Sequence, residues 1–134
     1  MRLSKVTPVF KILGLTIAIA VSITPAHAEP QKVYGEKFVI EIDLDDLETR
    51  EFLELPFTLQ SVEGDAIDGA GIVIGGGMRA HGHGLPTAPQ AEETSGGEYV
   101  IKGLKFSMAG NWELSFSVSH ESGSEQLITE FLVN

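Results

Sequence analysis

The sequence predicts an all-β protein, an immunoglobulin-like β-sandwich of about seven antiparallel strands, preceded by a signal peptide. Three observations carry this. Short runs alternate apolar with polar residues, the period of a half-buried strand. Gly-, Pro-, Asp- and Ser-rich clusters separate the runs at turn spacing. Beyond the first 28 residues no segment shows a convincing helical period. In roughly 100 residues, that combination suits two antiparallel sheets burying their alternating faces against each other.

The chain opens with Arg2, Lys5 and Lys11, then the apolar run ILGLTIAIAV, then Ala26-His27-Ala28. A basic start, a short apolar core and a small-x-small end are the order of a secretory signal peptide. Cleavage is expected before Glu29. The apolar run falls short of the roughly 20 residues that span a bilayer. Residues 29–134 then form one domain, exported to the periplasm or beyond, with no stable membrane span after cleavage.

EPQKVYGE reads as a polar lead-in. KFVIEIDL alternates, with Phe38, Ile40, Ile42 and Leu44 on one face. DDLETREFLEL fits one helical turn or a loop. PFTLQSV alternates again through Phe57 and Leu59, and EGDAIDG is a turn. AGIVIGG is a short β-branched run. Residues 75–97 are rich in Gly and Pro without apolar period; their front reads as a strand end and the remainder as a long loop. EYVIKGL alternates, and NWELSFSVSH lines Trp112, Leu114, Phe116 and Val118 along one face. ESGSE is a tight turn, and QLITEFLV closes the chain. Trp112 is the candidate centre of the core.

The chain carries 19 acidic and nine basic residues. All the acidic ones lie after residue 28, whereas three basic ones lie before it, so the predicted domain is more negative than the whole chain. Such a surface repels nucleic acid and anionic lipid and draws cations. There is no cysteine. The domain therefore holds together without disulfides, and thiolate chemistry and Cys-type metal sites are excluded.

Most motifs dissolve on inspection. GAGIVIG, Gly69 to Gly75, lacks the following helix that a dinucleotide fingerprint needs. The acidic run Asp43, Asp45, Asp46, Glu48 lacks the glycine at the sixth position of a calcium loop; it reads as a solvated, edge-protecting stretch. No nucleophile elbow occurs. Serines near His120 do not make a triad, and His120 reads as a turn residue. The chain is not expected to be an enzyme.

One stretch survives: MRAHGHGLPTAPQ, residues 78–90. In extended chain His81 and His83 point to one side, about 6–7 Å apart at their Cα atoms. Neutral imidazole suits copper, zinc and nickel, and thioether sulfur selects Cu(I). Met78 precedes His81 by three positions. Met108, in FSMAG, is the other methionine of the predicted domain. Both flank glycine-containing turns, an odd placement for core filler and a reasonable one for ligands.

PFTLQSV, DGAGIVIGGGMRAHGHGLPTAPQ and GGEYVIKGLKFSMAGNWELSFSV together resemble the FixH-like/YtkA-like domains of bacterial exported proteins, over about residues 55–120. The more specific part aligns Gly97, Tyr99, Gly103, Leu104, Phe106, Met108, Gly110 and Trp112 with that family's pattern. Arg79-Ala80 stands where its members often carry proline or a further methionine. The resemblance implies an immunoglobulin-like sandwich outside the cytoplasmic membrane. In some members it implies copper delivery for cytochrome oxidase assembly, with Met78, His81, His83 and Met108 as the metal-facing set.

The expectation is thus a periplasmic copper carrier, Cu(I) favoured, whose partner is an envelope protein such as a respiratory oxidase assembly component. A second reading is a metal-free envelope module that binds a protein partner through the 75–97 loop.

Overall fold

The computed structural model describes residues 29–49 and 51–134. The predicted signal peptide, residues 1–28, lies outside the described residues. Nine strands follow in order: β1 (Gln31–Tyr34), β2 (Phe38–Ile42), β3 (Leu53–Ser61), β4 (Gly71–Met78), β5 (His83–Gly84), β6 (Gln90–Ser95), β7 (Glu98–Leu104), β8 (Gly110–His120) and β9 (Gly123–Val133). They form a five-stranded sheet, β1-β2-β3-β7-β6, and a four-stranded sheet, β5-β4-β8-β9. Every pairing is antiparallel. The predicted sandwich is therefore the observed architecture.

The strand count exceeds the expected seven for a physical reason. β1, β5 and β6 are short edge strands that bury almost nothing. β1 buries only Val33, β5 buries neither of its residues, and β6 leaves five of six residues exposed. Edge pairing runs through backbone hydrogen bonds and leaves little mark on hydrophobic periodicity. The polar lead-in and much of the 75–97 loop are thus strands. The undecided stretch after β2 is irregular; it turns at Asp45–Asp46, where the Asp43 carboxylate accepts the Asp45 amide at 3.0 Å and Asp46 adopts φ 54°.

The alternating faces meet as predicted. Ile40, Leu59 and Ile101 of one sheet, and Leu114 and Phe116 of the other, are fully buried. The Phe57 and Phe116 rings touch across the interface at 5.5 Å between centroids. Each such side chain contributes about 1.5–3 kcal/mol by leaving water. Val39, Val100 and Leu104, which strict alternation sets on the opposite faces, are also buried, Leu104 because the β3–β7 register shifts between Leu53 and Leu55.

Two polar devices close the sandwich. The Glu125 carboxylate on β9 accepts the consecutive amides of Glu36, Lys37 and Phe38, tying the β1–β2 turn to the other sheet. The Gln31 side-chain amide donates to the Thr129 hydroxyl at 2.7 Å. At one end of the four-stranded sheet Phe106 packs 5.1 Å from Trp112 and 5.4 Å from Phe131, both as ring centroids. That aromatic cluster underlies the predicted histidine segment.

Candidate metal site

β4 ends in three glycines and Met78. A side chain at Gly76 would strike the Glu113 backbone, and one at Gly77 would strike the backbone of His83 and Gly84. The glycines therefore let three backbones approach closely. After Met78 the chain makes a single 3-10 turn, Arg79–His81, closed by the Gly82 amide donating to the Arg79 carbonyl at 3.2 Å. Gly82 sits at φ 66°, a left-handed conformation that glycine adopts without penalty. β5 then folds back along β4, pairing Gly84 with Gly77 and His83 with Met78.

This corrects the expected geometry of the histidine pair. His81 and His83 do not alternate along an extended strand; one lies in the 3-10 turn and the other in β5. The turn nevertheless brings the rings to 6.0 Å between centroids, tilted by 41°. Both residues are exposed. His83 Nδ1 lies 3.2 Å from the Gly84 carbonyl oxygen. A carbonyl only accepts, so this contact selects the Nδ1–H tautomer and leaves the Nε2 lone pair free. A backbone carbonyl on the far nitrogen is how proteins commonly orient a metal-ligating imidazole.

Met78 is also not where turn placement put it. Its side chain is 2% exposed and belongs to the core. Register continues its rung: Gly77 pairs with Glu113, so Met78 is level with Trp112, which pairs with Phe131. Its methyl end reaches Gly110, where an added Cβ would come within 2.8 Å of Met78 Cε. Met108, by contrast, lies in the β7–β8 loop and is 40% exposed.

The two sequence segments meet on Trp112. Its indole N–H donates to the Met108 carbonyl at 2.9 Å. Its ring lies 5.6 Å from His83 in an edge-on arrangement. Sequence reading assigned Trp112 to the core, which is correct, and missed that it also borders the histidines. Nothing in local spacing carried that signal, because β5 is positioned by glycines rather than by an apolar pattern.

A second feature was missed. Arg79 Nε lies 2.6 Å from Glu113 Oε2, with Glu113 largely buried. No N–H is well aimed at that oxygen, so the contact is an ion pair rather than a directed hydrogen bond. It fastens the 3-10 turn to β8. Met78, Arg79, His83 and Glu113 line a cleft of about 250 Å³ floored by the glycines. A larger groove of about 790 Å³, bordered by Ala70, Val73 and Ser119, holds no imidazole or thioether.

His120 stands apart, at the opposite end of β8 from Trp112. Its Nδ1 accepts the Ser122 amide at 3.2 Å and lies 2.8 Å from the Ser122 hydroxyl, and its ring packs against Phe38. It is the last residue of β8, paired with Gly123 across the hairpin, rather than the turn residue its sequence context suggested; the turn is Glu121–Ser122. Among the described residues no three His, Cys, Asp or Glu side chains converge on one point. A metal at His81 and His83 would take further donors from thioether, backbone or water.

The class is thus a two-sheet β-sandwich with an exposed imidazole pair at one end, beside a buried thioether and a tryptophan. No family model and no curated protein matches the sequence. Solved structures do match in shape. FetP of uropathogenic Escherichia coli strain F11, expressed in the periplasm of E. coli, superposes with a TM-score of 0.50 at 15% identity, covering 78% of this chain and 93% of that one. A copper-bound variant of the same FetP gives 0.54 at 12% identity, covering 78% and 94%. The ZirS C-terminal domain gives 0.47 at 10% identity, covering 98% and 87%. At these identities the FetP likeness shows a shared fold. Among the described residues no helix is long and apolar enough to cross a membrane.

Proposed function

We propose that the chain is an exported copper carrier of the FixH-like/YtkA-like kind, without enzymatic activity. The carrying observation is the pair of exposed imidazoles at 6.0 Å, one with its Nδ1 engaged by a backbone carbonyl and its Nε2 free. A copper-bound protein of the same fold supports the choice of metal. His83 Nε2 and His81 supply borderline nitrogen donors. Met78 adds soft sulfur from the neighbouring strand, and Met108 from the β7–β8 loop. Thioether donors favour Cu(I), while two imidazoles suffice to retain Cu(II).

The carrier role follows from exposure. A delivered ion must exchange ligands with an acceptor, and His81 and His83 lie open to solvent. The acidic surface favours cation approach. The acceptor is an envelope protein such as a respiratory oxidase assembly component. Copper titration of the wild type and of a His81→Ala/His83→Ala double variant tests the reading. Stoichiometric binding lost in the variant supports it, and unchanged affinity overturns it.

A further inference from the structure

Trp112 touches both halves of the candidate site. Its indole N–H holds the Met108 carbonyl, and its ring edge meets His83. It is itself 1% exposed and clamped by Phe106 and Phe131, so it is a fixed post between two exposed segments. The β7–β8 loop that bears Met108 has no regular pairing of its own between Leu104 and Gly110. The indole hydrogen bond at its middle therefore sets where that thioether can lie. The His81–His83 pair does not depend on this bond. It is set by the 3-10 turn, by Gly82 and by the β4–β5 pairing.

We infer that Trp112 is the specificity-determining positioning residue of the site: by tying the Met108 loop to His83 it adds a soft donor for monovalent ions, while divalent ions held by the imidazole pair do not need it. This inference rests on the copper reading above. It also predicts a spectroscopic signal, because Trp112 is the only tryptophan of the chain.

The test uses Ag(I), a redox-silent stand-in for Cu(I), and Cu(II), each titrated calorimetrically into the wild type, Trp112→Phe and Met108→Leu. Trp112→Phe keeps an aromatic ring and deletes the N–H. Met108→Leu keeps the carbonyl that the indole grips and deletes the sulfur. In both variants Ag(I) affinity is expected to fall about tenfold, the scale of one lost buried hydrogen bond or donor, with Cu(II) affinity unchanged. Equal loss for both ions, or no loss of Ag(I) affinity in either variant, overturns the inference. Should Trp112→Phe fail to fold, wild-type emission decides together with Met108→Leu. One equivalent of Ag(I) is expected to quench the tryptophan, and bound Ag(I) with unaltered emission overturns the inference while leaving the copper reading intact. A wild type that binds neither ion removes both.

Discussion

The methyl group of Met78 occupies the space that a side chain on Gly110 would need, with only 2.8 Å between Met78 Cε and a Cβ built there. The two residues come from segments 32 positions apart in sequence, and their contact joins the end of β4 to the start of β8. Gly110→Ala is expected to push aside the flexible thioether end rather than the backbone. Gly110 also adopts φ 131°, which disfavours any side chain. The expected result is a stability loss of about 1–2 kcal/mol, with a shifted Met78 methyl resonance. Urea denaturation and methyl NMR read the two effects, and an unmoved methyl signal contradicts the contact.

Gly77→Ala meets backbone instead. The new methyl would collide with the His83 carbonyl and the Gly84 Cα, and neither can yield without moving β5. His83 then leaves its place beside Met78 and Trp112. A loss of about 2–3 kcal/mol or more is expected from the overpacking and the adverse backbone angle. The His83–Trp112 contact should disappear from nuclear Overhauser spectra while the rest of the sandwich persists. A variant that keeps that contact at wild-type stability would refute the close-approach role.

Close backbone approaches of this kind leave no periodic trace in a sequence. Period-two alternation located five of the six strands with a buried face, a β-branched run located β4, and alternation named Trp112, Leu114, Phe116 and Val118 correctly because their partners are apolar. β5 and β6 bury almost no side chain, so their pairing energy is in the backbone and invisible to hydropathy. His81 and His83 were picked out together, yet by an extended-chain argument that the 3-10 turn replaces. Met78, read as a ligand rather than core filler because glycines flank it, is buried with the core. Those glycines in fact allow neighbouring backbones to close over it. The role of Trp112 at the site depends on contacts between residues 83, 108 and 112, a tertiary coincidence that no local pattern encodes.

Arg79→Gln isolates the ion pair with Glu113. Arg79 is mostly exposed, so the direct stability effect is expected to stay below about 1 kcal/mol. The larger consequence is local. Without the pair, the 3-10 turn keeps the Gly82 amide and the flanking β4–β5 pairing but loses its tie to β8, and His81 gains freedom relative to His83. Cu(II) affinity should weaken severalfold while thermal stability barely changes. Equal affinity in the variant would show that the turn needs no fastening to β8.

Glu125 offers a test of the sandwich away from the site. Its carboxylate gathers three successive amides of the β1–β2 turn at 2.9, 3.1 and 2.7 Å. Glu125→Gln keeps the shape but places an amide where an anion accepted all three, so part of the turn loses its acceptor. Hydrogen bonds to a charged group contribute about 1.5–3 kcal/mol, and a loss near that range is expected. Amide exchange at Glu36, Lys37 and Phe38 should accelerate first. Exchange that speeds up uniformly across both sheets would mean the contact has no local role.

Tyr99 supplies the pH dependence. Its hydroxyl donates to the Ile67 carbonyl at 2.9 Å and accepts the Ala70 amide at 3.1 Å, inside the core against Phe57. Burial pushes its pKa above 10.0, and the Ala70 amide opposes this in part; Glu93 and Asp68 nearby push it further up. The folded state thus holds the phenolic proton more tightly than the unfolded chain, whose tyrosine titrates near 10. Stability from this group is complete below that value and is lost as pH rises through the folded pKa. Tyr99→Phe removes the bond to Ile67 and leaves the Ala70 amide unpaired, at a cost of about 1–3 kcal/mol near pH 7. It also removes the alkaline sensitivity. Urea denaturation of both proteins should therefore show a gap at neutral pH that narrows above about pH 10. A gap of constant size across that range would mean that the Tyr99 proton is not held by the fold.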